Sequence, residues 1–205
     1  MEQYLNEFVF LASAIFLALM SPGPDFMVTL KQSINHERKY AIISSFGISI
    51  GIVFHLAYTI LGFSFIIKVF PMFLDIIRYI GATYLIYIGY KSFKSSHIKI
   101  EKDNQKKMTI KKAFMLGFFC NVFNPKATMF FLSIFSIIVN ESTPMYVQLL
   151  FGLFCVIANF VWYSLIALFL TRKKSIELFD KYSNIINKVI GAILIFFGFY
   201  FILSS

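Results

Sequence analysis

Long apolar blocks separated by short polar stretches define this chain. They run over residues 8–30, 41–67, 70–92, 113–139, 145–170 and 185–203, each near the ~20 residues that a helix needs to cross a bilayer. None shows the alternating pattern of a barrel strand, and unsatisfied backbone groups are too costly in lipid for other extended forms. All six are therefore predicted to be spanning helices, and the expected fold class is an all-α polytopic membrane protein. The third block is the weakest, with Asp75 and Arg78 near its start, spaced i to i+3 so that they can neutralise each other at the membrane surface.

Composition agrees with this pattern. The 205 residues are 59% hydrophobic and 14% charged, against roughly 25% charged in soluble domains, and the mean hydropathy is +0.76. The opening residues MEQYLNE carry two Glu and no Lys or Arg, unlike the basic start of a secretory signal, so the first block is expected to be retained. Cys120 and Cys155 both sit in apolar stretches, which leaves no disulfide framework and no C-x-x-C pair. Metal-ligand spacings and a G-x-x-x-x-G-K nucleotide loop are also missing, so no cofactor is expected and ATP-driven work would need a partner.

The net charge of +9 is a topology signal. Three basic residues (Lys31, Arg38, Lys39) fall between blocks one and two. Eight (Lys91, Lys94, Lys99, Lys102, Lys106, Lys107, Lys111, Lys112) fall between three and four, and five (Arg172, Lys173, Lys174, Lys181, Lys188) between five and six. The alternate side holds Lys68 and Arg78, and Lys126 lies inside the fourth block. Basic loops face the cytoplasm, so both termini are expected outside, and nucleic acid is not an expected partner. Residues 95–109, SSHIKIEKDNQKKMT, form the one long polar segment. It is read as a cytoplasmic linker over 95–110, with anionic lipid headgroups as the other use of its charge.

Three spans on either side of that linker make the second half start on the opposite face of the membrane. Segments 1–94 and 111–205 are thus expected to be two inverted three-helix repeats. Pro24 and Pro125 lie 101 residues apart, each in the first block of its half and each followed by a charge, Asp25 or Lys126. These are the two formal charges well inside apolar blocks, where each costs at least ~2.5 kcal/mol to insert. Around Asp25, the run Ser21-Pro22-Gly23-Pro24 removes backbone donors and relaxes the chain, so the helix must break or kink. A new helix N-terminus after Pro24 favours an anion such as a substrate carboxylate, while Asp25 suits an ammonium group or a proton. Read blandly, Asp25 is a helix cap in the interface.

Asn121, Asn124, Pro125 and Lys126 repeat the device in the fourth block. Lys126 lies too deep for easy snorkelling and is expected to face Asp25, water or ligand. One version makes Asp25 and Lys126 a structural ion pair, and another makes them a gate opened by a zwitterion. His55 is either a proton relay or a hydrogen-bonded core histidine. Gly47 and Gly51, with Ser44 and Ser45 nearby, read as a close-packing helix face. Asn159 either lines a cavity or links helices. The 27 Phe residues read as packing and lipid-facing bulk, and Trp162 carries no signal.

PGPDFMVTL, then FGISIGIVFH, GATYLIYIGYKSF and FMLGFFCNVFNPKATMFFL, resemble the LysE/RhtB family of amino-acid exporters over nearly the whole chain, in order. The resemblance implies an exporter of amino acids or homoserine-like metabolites in the bacterial cytoplasmic membrane, driven by proton motive force. It maps the family's proline motifs onto Pro22, Gly23, Pro24 and Asp25 and onto Asn124, Pro125 and Lys126. The expected partners are an amino-acid substrate, protons and membrane lipid, and a homo-oligomer is compatible with it; no enzyme activity is expected. Two rival classes stand beside it. A membrane thiol-redox carrier would need a cysteine at each break, and the first span has none. A non-transporting scaffold would need no internal polar path.

Overall fold

The computed structural model describes residues 2–69, 73–94, 108–138, 143–169 and 173–204. Over these the chain is helical: α1 Glu2–Met20, α2 Pro24–Asn35, α3 Arg38–Val69, α4 Phe73–Lys94, α5 Ile110–Val122, α6 Pro125–Ile138, α7 Met145–Phe169 and α8 Lys173–Ser204. The order is the same in both halves, two short helices meeting at a bend and then two longer ones. The bend is 53° between α1 and α2 and 54° between α5 and α6.

Each bend falls where local chemistry ends a helix. Pro22 and Pro24 supply no backbone donor, Gly23 is fully extended, and Pro24 restarts the chain at the first position of α2, where its missing N–H and fixed φ suit a helix start. Pro125 restarts α6 in the same way. The blocks 8–30 and 113–139 are thus each a pair of helices.

Among the described residues, three stretches are long and apolar enough to cross a membrane alone, Arg38–Gly62, Met145–Phe169 and Lys181–Tyr200, or up to five if each bent pair is one span. α4, over the expected third span, is not among them. Its sequence carries Asp75, Arg78, Lys91 and Lys94 among its apolar residues. The side chains of Asp75 and Arg78, and residues 95–107 of the expected linker, lie outside the described residues. α8 begins at Lys173, so the loop expected before residue 185 is largely helix; its Lys, Glu and Leu are good helix formers.

α3 packs on α5 and α7, and α4 on α8 and α6. Glycine permits the closest crossings: a Cβ on Gly117 would stand 2.0 Å from the Ser44 carbonyl oxygen, and one on Gly47 2.2 Å from that of Phe114. Gly47 therefore packs backbone to backbone, as expected from the Gly47/Gly51 spacing. Gly89 and Gly191 meet alike between α4 and α8, each 2.7 Å from the other's carbonyl by the same measure.

The bundle is apolar outside and polar within. Leu61, Leu149, Leu150, Leu153 and Phe199 are more than half exposed, while Ser44, Ser49, Thr59, Asn121 and Asn159 are buried. Soluble monomers rarely show apolar patches beyond a few hundred Å², whereas this surface suits acyl chains. Phe residues serve both layers, Phe131 and Phe135 inside and Phe196 and Phe199 outside.

Candidate functional site

The two bends meet inside the bundle, and each supplies what the other lacks. Asp25, in the first turn of α2, is buried. Its Oδ2 accepts from Asn121 Nδ2 at 2.9 Å and Asn124 Nδ2 at 3.1 Å. Its Oδ1 is buried with no hydrogen-bond partner, and the Cys120 thiol lies beside the carboxylate. Lys126 reaches the other way, donating from Nζ to the carbonyls of Ser21 at 2.7 Å and Ala18 at 3.2 Å. A cation is favoured at those last carbonyls of α1 by their own polarity and by the helix dipole.

The structural ion pair, one of the two versions open from the sequence, is therefore not formed; among the described residues the two are not within 4 Å as charged groups. The physical reason is competition. Two side-chain amides hold one oxygen of the anion, and free helix-end carbonyls take the cation. Asn121 and Asn124, singled out as part of the second break, both donate to Asp25.

The bends differ in how they are capped. Asn124 Oδ1 accepts from the Lys126 backbone N–H at 3.0 Å, so α6 has a side-chain N-cap. α2 starts from Gly23, which offers none. A Cβ at Gly23 would stand 3.3 Å from Lys126 Cδ, so glycine lets the lysine lie across the uncapped end. Gly51 works for the other bend: a Cβ there would fall 2.8 Å from the Cβ and Oδ1 of Asn121, so its bare backbone makes the seat for that amide.

His55 is a hydrogen-bonded core residue. Its Nε2 donates to the Asn121 carbonyl at 2.9 Å, and its Nδ1 accepts from the Tyr58 hydroxyl at 2.6 Å. It lines neither cavity at the site. Asn159 does line one, with its Oδ1 held by Ser49 Oγ at 2.9 Å.

Two cavities flank Lys126. An inner one of about 40 Å³ is lined by Asp25, Asn121, Asn124, Asn159 and Tyr163 among apolar side chains. A water needs roughly 10–15 Å³, so it has room for a few waters. A wider vestibule of about 690 Å³ is lined by Pro22, Pro24, Tyr84, Lys91, Lys94 and Pro125. Gly23, Asn124 and Lys126 line both, and form the wall between them. Tyr163 was not singled out from sequence, since a lone aromatic in an apolar span reads as bulk. Cys120 and Cys155 are both free thiols.

A bundle with a lipid-suited exterior, broken helices and a polar cavity where the breaks meet has the build of a membrane translocator. The model of the family described as LysE type translocator matches residues 16–205, and the chain belongs to that family, one of transporters rather than enzymes. It is 27% identical to a threonine efflux protein of Salmonella typhi over 96% of this chain and 98% of that one. A leucine efflux protein of Klebsiella pneumoniae is 29% identical over 95% and 92%. An uncharacterized membrane protein of Haemophilus influenzae is 29% identical over 88% of each. No solved structure matches the chain.

Proposed function

We propose that the protein exports amino acids or close derivatives across the bacterial cytoplasmic membrane by proton-coupled antiport. The observation that carries this is the unpartnered Oδ1 of buried Asp25, beside a cavity walled off from a wide vestibule by Lys126. A buried acceptor without a partner is costly, and an ammonium group or a proton relieves it. The substrate carboxylate then takes the uncapped start of α2 together with Lys126 Nζ. Moving Lys126 from the α1 carbonyls to that carboxylate joins the cavities, and departure of the substrate returns Asp25 to a proton. Pro22, Gly23, Pro24 and Pro125 keep the helix ends open, Asn121 and Asn124 hold Asp25, and Asn159 lines the seat. His55 braces the second bend.

Six spans in two inverted repeats, 1–94 and 111–205, with both termini outside, suit this mechanism, because rocking one repeat against the other alternates access. The repeated element order and the pairing of α3 with α7 and α4 with α8, like with like, support that arrangement. Lys91 and Lys94 at the vestibule support a mouth on the cytoplasmic side, by the positive-inside rule. The test follows release of amino acids by mass spectrometry from dipeptide-loaded cells lacking their own exporters. Export that requires the protein, and that Asp25→Asn and a proton uncoupler both abolish, is the expected result. Undiminished export by Asp25→Asn removes Asp25 from the mechanism.

A further inference from the structure

We infer that the proton carried by Asp25 leaves it along one buried face of α2, past Thr29 and Gln32, by a route separate from the vestibule that admits substrate. This rests on the proposed proton-coupled export and adds to it the path of the proton.

The short helix α2 buries Asp25, Thr29, Gln32, Ser33 and Asn35 among its 12 residues. Asp25, Thr29 and Gln32 are spaced i, i+4, i+7, which sets them on one face of the helix over about 10 Å of its length. Each ends in a buried oxygen with no hydrogen-bond partner: Asp25 Oδ1, Thr29 Oγ1 and Gln32 Oε1. Thr29 is 0% and Gln32 4% exposed. An open oxygen of this kind costs roughly 1–3 kcal/mol, and a helix offers a hydroxyl a ready remedy in its own carbonyl one turn back. Ser33 takes it, donating to the Thr29 carbonyl. On α6, the matching helix of the other half, Thr128, Ser133 and Ser136 take it too. Thr29 does not. Of the two helices that follow the bends, α2 alone carries open oxygens.

Side chains one turn apart on a helix face stand about 5–6 Å apart at Cβ, a gap that one bridging water spans. A threonine hydroxyl both accepts and donates, and a glutamine oxygen accepts, so the row suits waters that pass a proton along. The proton leaves the Asp25 carboxylic acid, moves by water past Thr29 Oγ1 and Gln32 Oε1, and enters bulk water beyond Asn35. A carboxylate remains for the ammonium. In sequence this end of α2 is the basic one, with Lys31, Arg38 and Lys39, and so cytoplasmic by the positive-inside rule. A second exit is needed because an arriving zwitterion fills the way past Lys126, and the proton that it displaces cannot return through it. Cys120 of α5, His55 of α3, Lys126 of α6 and Tyr163 of α7 are the other titratable groups near Asp25. His55 and Lys126 are tied to backbone carbonyls.

The test uses Thr29→Val and Gln32→Leu, which remove the oxygens and keep most of the bulk, with Thr29→Ser as the variant that retains a hydroxyl. Purified protein is placed in vesicles enclosing a pH-sensitive dye and a mixture of the common amino acids. Exchange of internal for isotope-labelled external amino acids without a pH gradient needs no net proton movement, whereas release driven by a pH gradient does. Thr29→Val and Gln32→Leu are expected to keep exchange and to lose about tenfold of gradient-driven release and of the dye signal, while Thr29→Ser keeps both. Thr29→Val is also expected to melt no lower than the unaltered protein in detergent, since it removes a buried open oxygen. Undiminished gradient-driven release in both variants overturns the α2 route and leaves the export reading standing, as does equal loss of exchange and release, the mark of a merely structural role. Exchange by the unaltered protein that ignores the pH gradient overturns proton coupling and the route together, and no exchange at all overturns the export reading with them.

Discussion

The two bends have nearly equal angles, 53° and 54°, and each is restarted by a proline, yet only the second supplies a side-chain cap for its restarted helix. Asn124 caps α6 and His55 caps the Asn121 carbonyl at the end of α5. The first bend has Gly23 at the start of α2 with no side-chain cap, and it borrows Lys126 from the other half for the carbonyls at the end of α1. It also holds the anion whose second oxygen has no partner. Each bend keeps a buried oxygen without a partner, Asp25 Oδ1 and Asn121 Oδ1, but the first joins a formal charge to an uncapped helix start, so a zwitterion has most to gain there and the second bend serves as its frame.

Breaking the first bend gives the largest expected effect. Asp25→Asn removes the charge that holds an ammonium, and export is expected to fall at least about tenfold, from the worth of hydrogen bonds to charged groups, measured as amino-acid release. Gly51→Ala attacks the same carboxylate from the frame: its Cβ displaces the Asn121 amide. One charge-assisted bond to Asp25 is then lost, and export is expected to drop by roughly tenfold or somewhat less with the protein still inserted.

His55→Phe loosens the second bend alone. The Asn121 carbonyl keeps the Asn124 backbone N–H, so the cost is about 1 kcal/mol of stability, read as a lowered melting temperature in detergent. Gly23→Ala is the mildest. Its Cβ meets the flexible stem of Lys126 at 3.3 Å, and a lysine shifted off its rotamer changes export by about threefold.

Much of this was legible because charge is rare in apolar sequence. Asp25 and Lys126 stood out by that alone, the prolines beside them located both bends, and the spacing of Gly47 and Gly51 announced a close helix crossing. What each charge touches was not legible. Opposite signs in two halves read as a pair, whereas the free carbonyls of Ala18 and Ser21 leave no mark in residue type and emerge only once α1 ends beside α6. The role of Gly51 was half visible, since packing predicted its smallness but not the Asn121 amide lodged against it. The last span was legible, Lys181–Tyr200 against the expected 185–203, but the start of its helix at Lys173 was not, because hydropathy marks where the membrane ends, not where a helix does.

Asp25 and Lys126 are each held by the opposite bend and not by one another. The most direct measurement is the thermal stability of Asp25→Leu, Lys126→Met and the double variant in one detergent. A direct buried pair is badly hurt by losing one partner and much less by losing both. Reciprocal anchoring predicts the reverse order. Asp25→Leu strands the two amides, Lys126→Met strands the two carbonyls, and the double variant strands both and melts below either single variant. A double variant that melts above both singles would contradict the account.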